Sequence, residues 1–240
     1  YEKDYYMGMG ETAENLAKEL SITREEQEVF AVNSHKKALN AINIGNFNKE
    51  IVPIEFNGNT ITKDEGPREP NLEKIKSLDP AFDAEGSITA ATSSPISIGS
   101  SAILLTSNKV AEESGIKPEF KILSRSIAGV DWTKMGMGPI PATEKALRNA
   151  NLSINQIDVI ELNEAFAAQS LYVIKKAQWD INKINLNGGA IALGHPLGCS
   201  GSRIIVSLMN TMRQKDAQYG LATMCIGTGQ GIATIIERMK

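Results

Sequence analysis

The chain has 240 residues, of which 42% are hydrophobic and 22% charged, and its formal net charge is −3. That composition is ordinary for a soluble globular protein of one or two domains. It excludes recognition of nucleic acid or an acidic membrane through bulk charge, and no apolar run approaches the ~20 residues of a membrane-spanning helix. The chain opens on Tyr1 with a polar, aromatic stretch that lacks the apolar core of a signal peptide, so it reads as a piece of a longer protein. Its two cysteines, Cys199 and Cys225, do not suggest a disulfide framework, and a reduced, cytoplasmic setting is expected.

Thr12 to Ala17 begins a first helix. Thr23 and Glu26 have capping-box spacing and predict the start of a second. Val29, Phe30, Val32 and Ala38 suggest its apolar face, with Gly45 as the stop, and His35 is expected on the polar surface. Strands follow at 51–56 and 60–62 around an Asn57-Gly58-Asn59 turn. A polar loop, Asp64 to Arg68, leads to a short helix at 72–78. Residues 87–101 are small and hydroxylated, which favours close backbone approach. Ala102 to Leu105 reads as a buried strand.

Beyond Phe120 the pattern alternates. Strands are expected at 120–126, 157–162, 184–186, 219–224 and 232–236, with helices at 142–150, 165–176 and 201–212. Such alternation predicts an α/β domain with a largely parallel sheet.

Three segments could carry chemistry. Asn163-Glu164-Ala165-Phe166 follows an apolar strand, on the side where α/β sheets bind ligands. The competing reading is that Asn163 and Glu164 only cap the next helix. The second segment, 187–201, places His195 in a glycine-rich loop that leaves room beside the imidazole. The third, Cys225-Ile226-Gly227-Thr228-Gly229, is not a dinucleotide loop, because a strand follows it instead of a helix. Cys225 is either a small buried hydrophobe or a thiol that meets substrate. A zinc site from Cys199, Cys225 and His195 lacks the close-spaced ligand pair such sites use.

Taken together, Asn163-Glu164-Ala165-Phe166-Ala167, Gly194-His195-Pro196-Leu197-Gly198 and Cys225-Ile226-Gly227-Thr228-Gly229 resemble the thiolase family in order and spacing. Met9 to Asn15, Asp64-Glu65 through Arg68, Pro80-Ala81-Phe82 and Thr89-Ala90-x-x-Ser93-Ser94 extend the resemblance over the whole chain. Residues 184–189 and 221–225 look most like the bacterial β-oxidation subunit. The resemblance implies a layered αβαβα fold of two similar halves, with a loop domain inserted in the first. Residues 1–88 would then be part of the loop domain, 89–117 the end of the first half, and 118–240 the second half.

The activity implied is thiolysis of a 3-ketoacyl-CoA by CoA, with CoA as substrate and no cofactor or metal. A nucleophilic cysteine would lie upstream of this chain. His195 would deprotonate it, and Cys225 would exchange a proton with the leaving and entering groups, its reference pKa of ~8.5 suiting that task. Asn163, through a water, and the N–H of Gly227 would face developing oxyanions. Met9, Arg68, Phe82, Ala90, Ser94, Ala165 and Phe166 map to the CoA and pantetheine channel. Cys199 would pack structurally. The resemblance also implies a homodimer, docked to a multifunctional hydratase/dehydrogenase subunit. Ile98 stands where the family usually has Asp, and Ser100-Ser101 replace its usual alanines. The other readings are a biosynthetic acetoacetyl-CoA thiolase, a non-catalytic CoA- or lipid-binding relative, which would have lost His195 or Cys225, and a truncated, inactive product.

Overall fold

The computed structural model describes residues 7–239, and the Tyr1–Tyr6 opening lies outside them. Two helices come first, α1 (Met9–Glu19) and α2 (Arg24–Asn43). The capping box of α2 forms as its spacing requires: the Thr23 hydroxyl accepts from the Glu26 N–H at 3.2 Å, and the Glu26 carboxylate accepts from the Thr23 N–H at 2.9 Å. Gly45, at φ +76°, ends the helix in the left-handed region.

The buried residues of α2 are Gln27, Glu28, Ala31, Val32, Ser34, His35, Ala38 and Ala41, one helical face of which half is polar. His35 is therefore buried, against expectation, and its Nδ1 accepts from the Arg68 N–H at 3.3 Å. Val29, assigned to the apolar face, is exposed.

A short hairpin, β1 (Ile54–Phe56) and β2 (Asn59–Ile61), and the helices α3 (Leu72–Lys76) and α4 (Asn108–Glu113) follow. The strand expected at 102–105 does not form. Leu104 and Leu105 are exposed, and a strand persists only where another ladder takes up its backbone groups.

The second part is a three-layer sandwich. Its sheet runs β3-β6-β5-β4, from β3 (Phe120–Gly129), β4 (Val159–Leu162), β5 (Tyr219–Ile226) and β6 (Gln230–Arg238). Alternating side chains serve two faces. Ile160, Leu162, Leu221, Ala233 and Ile235 pack against α5 (Pro139–Ala150) and α6 (Ala167–Ala177). Val159, Ala222 and Ile236 pack against α8 (Ser200–Lys215). A single-turn helix, α7 (Ala190–Leu193), precedes α8.

Only β4 and β5 are parallel; β3–β6 and β6–β5 are antiparallel. The sheet is thus less parallel than alternation predicts. The connection between β5 and β6, residues 227–229, is too short for a crossover and must make a hairpin. The strand expected at 184–186 is reduced to one bridge, Ile184 to Ile160. Asn185 leaves the ladder at φ +46°, and its side chain replaces the lost pairing: Oδ1 accepts from the Leu162 N–H and Nδ2 donates to the Leu162 carbonyl.

Candidate active site

The C-terminal ends of the parallel pair β4 and β5 bring two of the three segments together. Leu162 pairs with Thr223, and the Asn163 N–H donates to the Thr223 carbonyl at 3.0 Å. The chain then turns through Glu164 and Ala165 into α6, whose N-cap is Phe166. Neither Asn163 nor Glu164 caps that helix, so the capping explanation fails for both.

Asn163 instead faces His195. Its Nδ2 lies 3.5 Å from His195 Nε2, and its Oδ1 is buried without a protein partner. A buried carbonyl oxygen of this kind is satisfied by a water or a ligand. Glu164 points the other way. Its buried carboxylate accepts from the Ser34 hydroxyl at 2.7 Å, the Asn185 Nδ2 at 2.8 Å and the Ile191 N–H at 3.2 Å. It fixes the glycine loop to α2 and to β4. Gly189 is required there, because a β-carbon would collide with the Glu164 carboxylate.

After α7, Gly194 reverses the chain at φ +94° and presents His195. The imidazole Nδ1 lies 2.5 Å from the Ser200 Oγ. Burial, and then the nearby Arg203 charge, hold His195 below the usual histidine range, so its imidazole is uncharged at neutral pH.

Cys225 sits at the end of β5, opposite Gly231, and packs in one apolar cluster with Ala13, Leu16, Ala165 and Phe166. Burial pushes its thiol up to about 12. Enclosed by apolar groups, Cys225 is held in the thiol form. Gly227 lies exposed in the following turn, where Thr228 and Gly229 adopt positive φ.

Most of the residues mapped to the channel lie around this cluster. The Phe82 ring meets Phe166 edge-on at 5.6 Å and lies against Gly10. Met9 Sδ approaches Gly227, at 3.8 Å from where a β-carbon would stand. The Ser94 N–H donates to the Ala165 carbonyl at 3.0 Å. Met9 and Phe82 are exposed large apolar residues. Ala90 is exposed on a 3₁₀ turn. Arg68 is exposed on its loop and tied to the fold through its backbone bond to His35. Cys199 is buried at the N-cap of α8. Among the described residues no three His, Cys, Asp or Glu side chains gather as a metal site would need.

Residues 116–238 match the family model described as thiolase, C-terminal domain, and residues 2–109 the one described as thiolase, N-terminal domain. The chain belongs to the thiolase family. It is 54% identical over 243 residues to a 3-ketoacyl-CoA thiolase of Marinomonas sp. (strain MWYL1), covering 97% of this chain and 62% of that protein. A 3-ketoacyl-CoA thiolase of Idiomarina loihiensis is 53% identical, over 96% of this chain and 62% of its own length. Among solved structures, the Bacillus anthracis acetyl-CoA acetyltransferase superposes with a TM-score of 0.93 at 44% identity, covering 97% of this chain and 60% of its own. Human mitochondrial 3-ketoacyl-CoA thiolase in complex with CoA gives 0.91 at 39%, covering 96% and 59%. The chain thus spans about 62% of the length of the curated relatives it matches.

Several residues of this thiolase chain that hold the site in place carry no motif. Ser34, Asn185 and Glu164 form one buried network although the sequence separates Ser34 and Glu164 by 130 positions. Glu161 faces the α8 side of β4; burial raises its carboxyl to about 8 and leaves Oε1 unpartnered. The Arg203 guanidinium on α8 lowers that value, and its Nη atoms are likewise buried without a hydrogen-bond partner. The available signal was Glu161 itself, a charged residue between Ile160 and Leu162 in an otherwise apolar strand.

Proposed function

We propose that the protein to which this chain belongs is a 3-ketoacyl-CoA thiolase, and that this chain supplies the acid–base and oxyanion half of its site. The supporting observation is the convergence of Asn163 and His195, 3.5 Å apart, at the C-terminal edge of the sheet, where β5 ends in Cys225-Ile226. Neutral His195 removes the proton of a cysteine thiol supplied by the part of the protein upstream of this chain. The thiolate attacks the 3-keto carbon. When the bond between C2 and C3 breaks, its electron pair goes to the acetyl-CoA carbanion, which takes the Cys225 proton and leaves. The Cys225 thiolate then takes the proton of the incoming CoA thiol, the CoA sulfur displaces the acyl group from the nucleophile, and the departing cysteine thiolate takes back the proton held by His195.

The buried thiol suits the first of these steps as it stands. The second step restores it, since a buried thiolate is a strong base. The buried Oδ1 of Asn163 would hold a water that shares one substrate oxygen with His195, and the exposed Gly227 N–H would face the other. Met9, Phe82, Ala90, Ser94, Ala165, Phe166 and Arg68 would line the CoA path. CoA is a substrate, and no resident cofactor enters.

In this reading residues 1–88 belong to the loop domain, 89–117 end the first half and 118–240 form the second. The protein acts in fatty-acid β-oxidation in the cytoplasm, as a homodimer docked to a multifunctional hydratase/dehydrogenase subunit. The likeness to the acetyl-CoA acetyltransferase supports a second reading with the same chemistry on short substrates. Thiolysis assays of the full-length protein with 3-ketoacyl-CoAs of increasing length separate the two. Production of acetyl-CoA plus a shortened acyl-CoA supports the proposal, and failure to cleave any of them contradicts it.

A further inference from the structure

We infer that Ser200 is a positioning residue that fixes His195 in the tautomer protonated on Nδ1, leaving Nε2 as the basic nitrogen. Ser200 is fully buried at the first residue of α8. Its Oγ lies 2.5 Å from His195 Nδ1 and 3.0 Å from the Pro196 carbonyl. A carbonyl oxygen only accepts, so the single hydroxyl hydrogen goes to Pro196 and a lone pair is left toward the ring. The ring must then present N–H at Nδ1. On its other side Nε2 faces Asn163 Nδ2, which only donates. Both neighbours select the same tautomer. Pro196, next to His195 in the chain, holds Ser200 through two bonds, since the Ser200 N–H also donates to its carbonyl at 2.9 Å. Orientation of a catalytic imidazole through the nitrogen that does not react is a recurring device, usually performed by a carboxylate. Here a neutral hydroxyl does it, so no negative charge offsets the nearby Arg203.

That His195 serves as the base rests on the proposed thiolase function, but its tautomer can be measured without substrate. In the full-length protein with ¹⁵N-labelled histidine, long-range ¹H–¹⁵N correlation spectra should show His195 protonated on Nδ1 at neutral pH, the assignment being made by loss of the signals in His195→Gln. Ser200→Ala should shift the ring toward the Nε2–H form, and Ser200→Thr should restore the original pattern. Alkylation of the upstream cysteine by iodoacetamide should slow roughly ten- to hundredfold in Ser200→Ala and recover in Ser200→Thr. A wild-type ring protonated on Nε2 overturns the inference even if neither variant folds, and so does a Ser200→Ala protein that keeps the Nδ1–H pattern. An Nδ1–H ring in a protein that cleaves no 3-ketoacyl-CoA would instead overturn the functional reading and leave this one standing.

Discussion

Ser34 donates to Glu164 at 2.7 Å, tying the middle of α2 to the loop that carries Asn163. The same hydroxyl oxygen accepts from the Gly189 N–H at 3.1 Å, at the start of the segment that ends in His195. One side chain thus sets the relative position of two segments of the site. Ser34→Ala leaves a buried carboxylate one donor short and a buried N–H without a partner. It should destabilise the full-length protein by about 1–3 kcal/mol, read as a lower denaturant midpoint with unchanged slope. An unchanged midpoint would show that these two bonds add nothing to the stability of the fold.

His35 gives a pH signature. Burial, and then the Arg68 charge, lower it from 6.5 to about 4, so the folded protein excludes a proton that the unfolded chain takes up. Between those values the unfolded state binds more protons, so stability rises with pH. Acidification from pH 6.5 to 4 should cost roughly 1–3 kcal/mol from this group, levelling off below its folded value. His35→Asn keeps an acceptor for the Arg68 N–H and cannot titrate. Its melting temperature should fall less steeply over that interval, and a parallel fall in both proteins would assign the acid sensitivity elsewhere.

Asn163 offers a cleaner separation of activity from folding. Its side chain makes one long contact and carries an unpartnered oxygen, so little stability depends on it. Asn163→Ala in the full-length protein should lower kcat by roughly 10²–10³-fold, the usual cost of losing an oxyanion donor, here the water its Oδ1 would hold, with the melting temperature nearly unchanged. Equal losses in both would make it a packing residue.

Substrate length distinguishes the two thiolase readings. Activity of the full-length protein should extend from acetoacetyl-CoA to medium and long 3-ketoacyl-CoAs. Activity confined to acetoacetyl-CoA would assign it the biosynthetic role.

How much of this was legible in the sequence differs by element. The α2 capping box and the strands flanking Asn163 and Cys225 are local patterns that form where expected, while the hairpin forms with a shorter first strand and with Asn59 already paired to Phe56. His35 was misplaced because its stripe is half polar, so hydrophobic periodicity could not mark it as buried. The strand at 184–186 failed because Asn185 pairs through its side chain, which no propensity encodes. The site motifs singled out His195, Asn163 and Cys225 as candidates, and the structure brings Asn163 and His195 within 3.5 Å. The elevated thiol of Cys225 and the partnership of Ser34 with Glu164 depend on three-dimensional surroundings that spacing does not reveal.

Cys225 carries the central claim, since it must be either a packing residue or the proton donor. Replacing it with alanine deletes one sulfur, with a folding cost of ~1 kcal/mol. The decisive measurement compares thiolysis rate, melting temperature and iodoacetamide labelling of the upstream cysteine in full-length wild type, Cys225→Ala and His195→Gln. Thiolysis by Cys225→Ala should fall roughly 10²–10⁴-fold with little change in melting or labelling, whereas His195→Gln should slow the labelling itself. Near-normal turnover by Cys225→Ala would show that this cysteine only packs, and would contradict the mechanism proposed for the site.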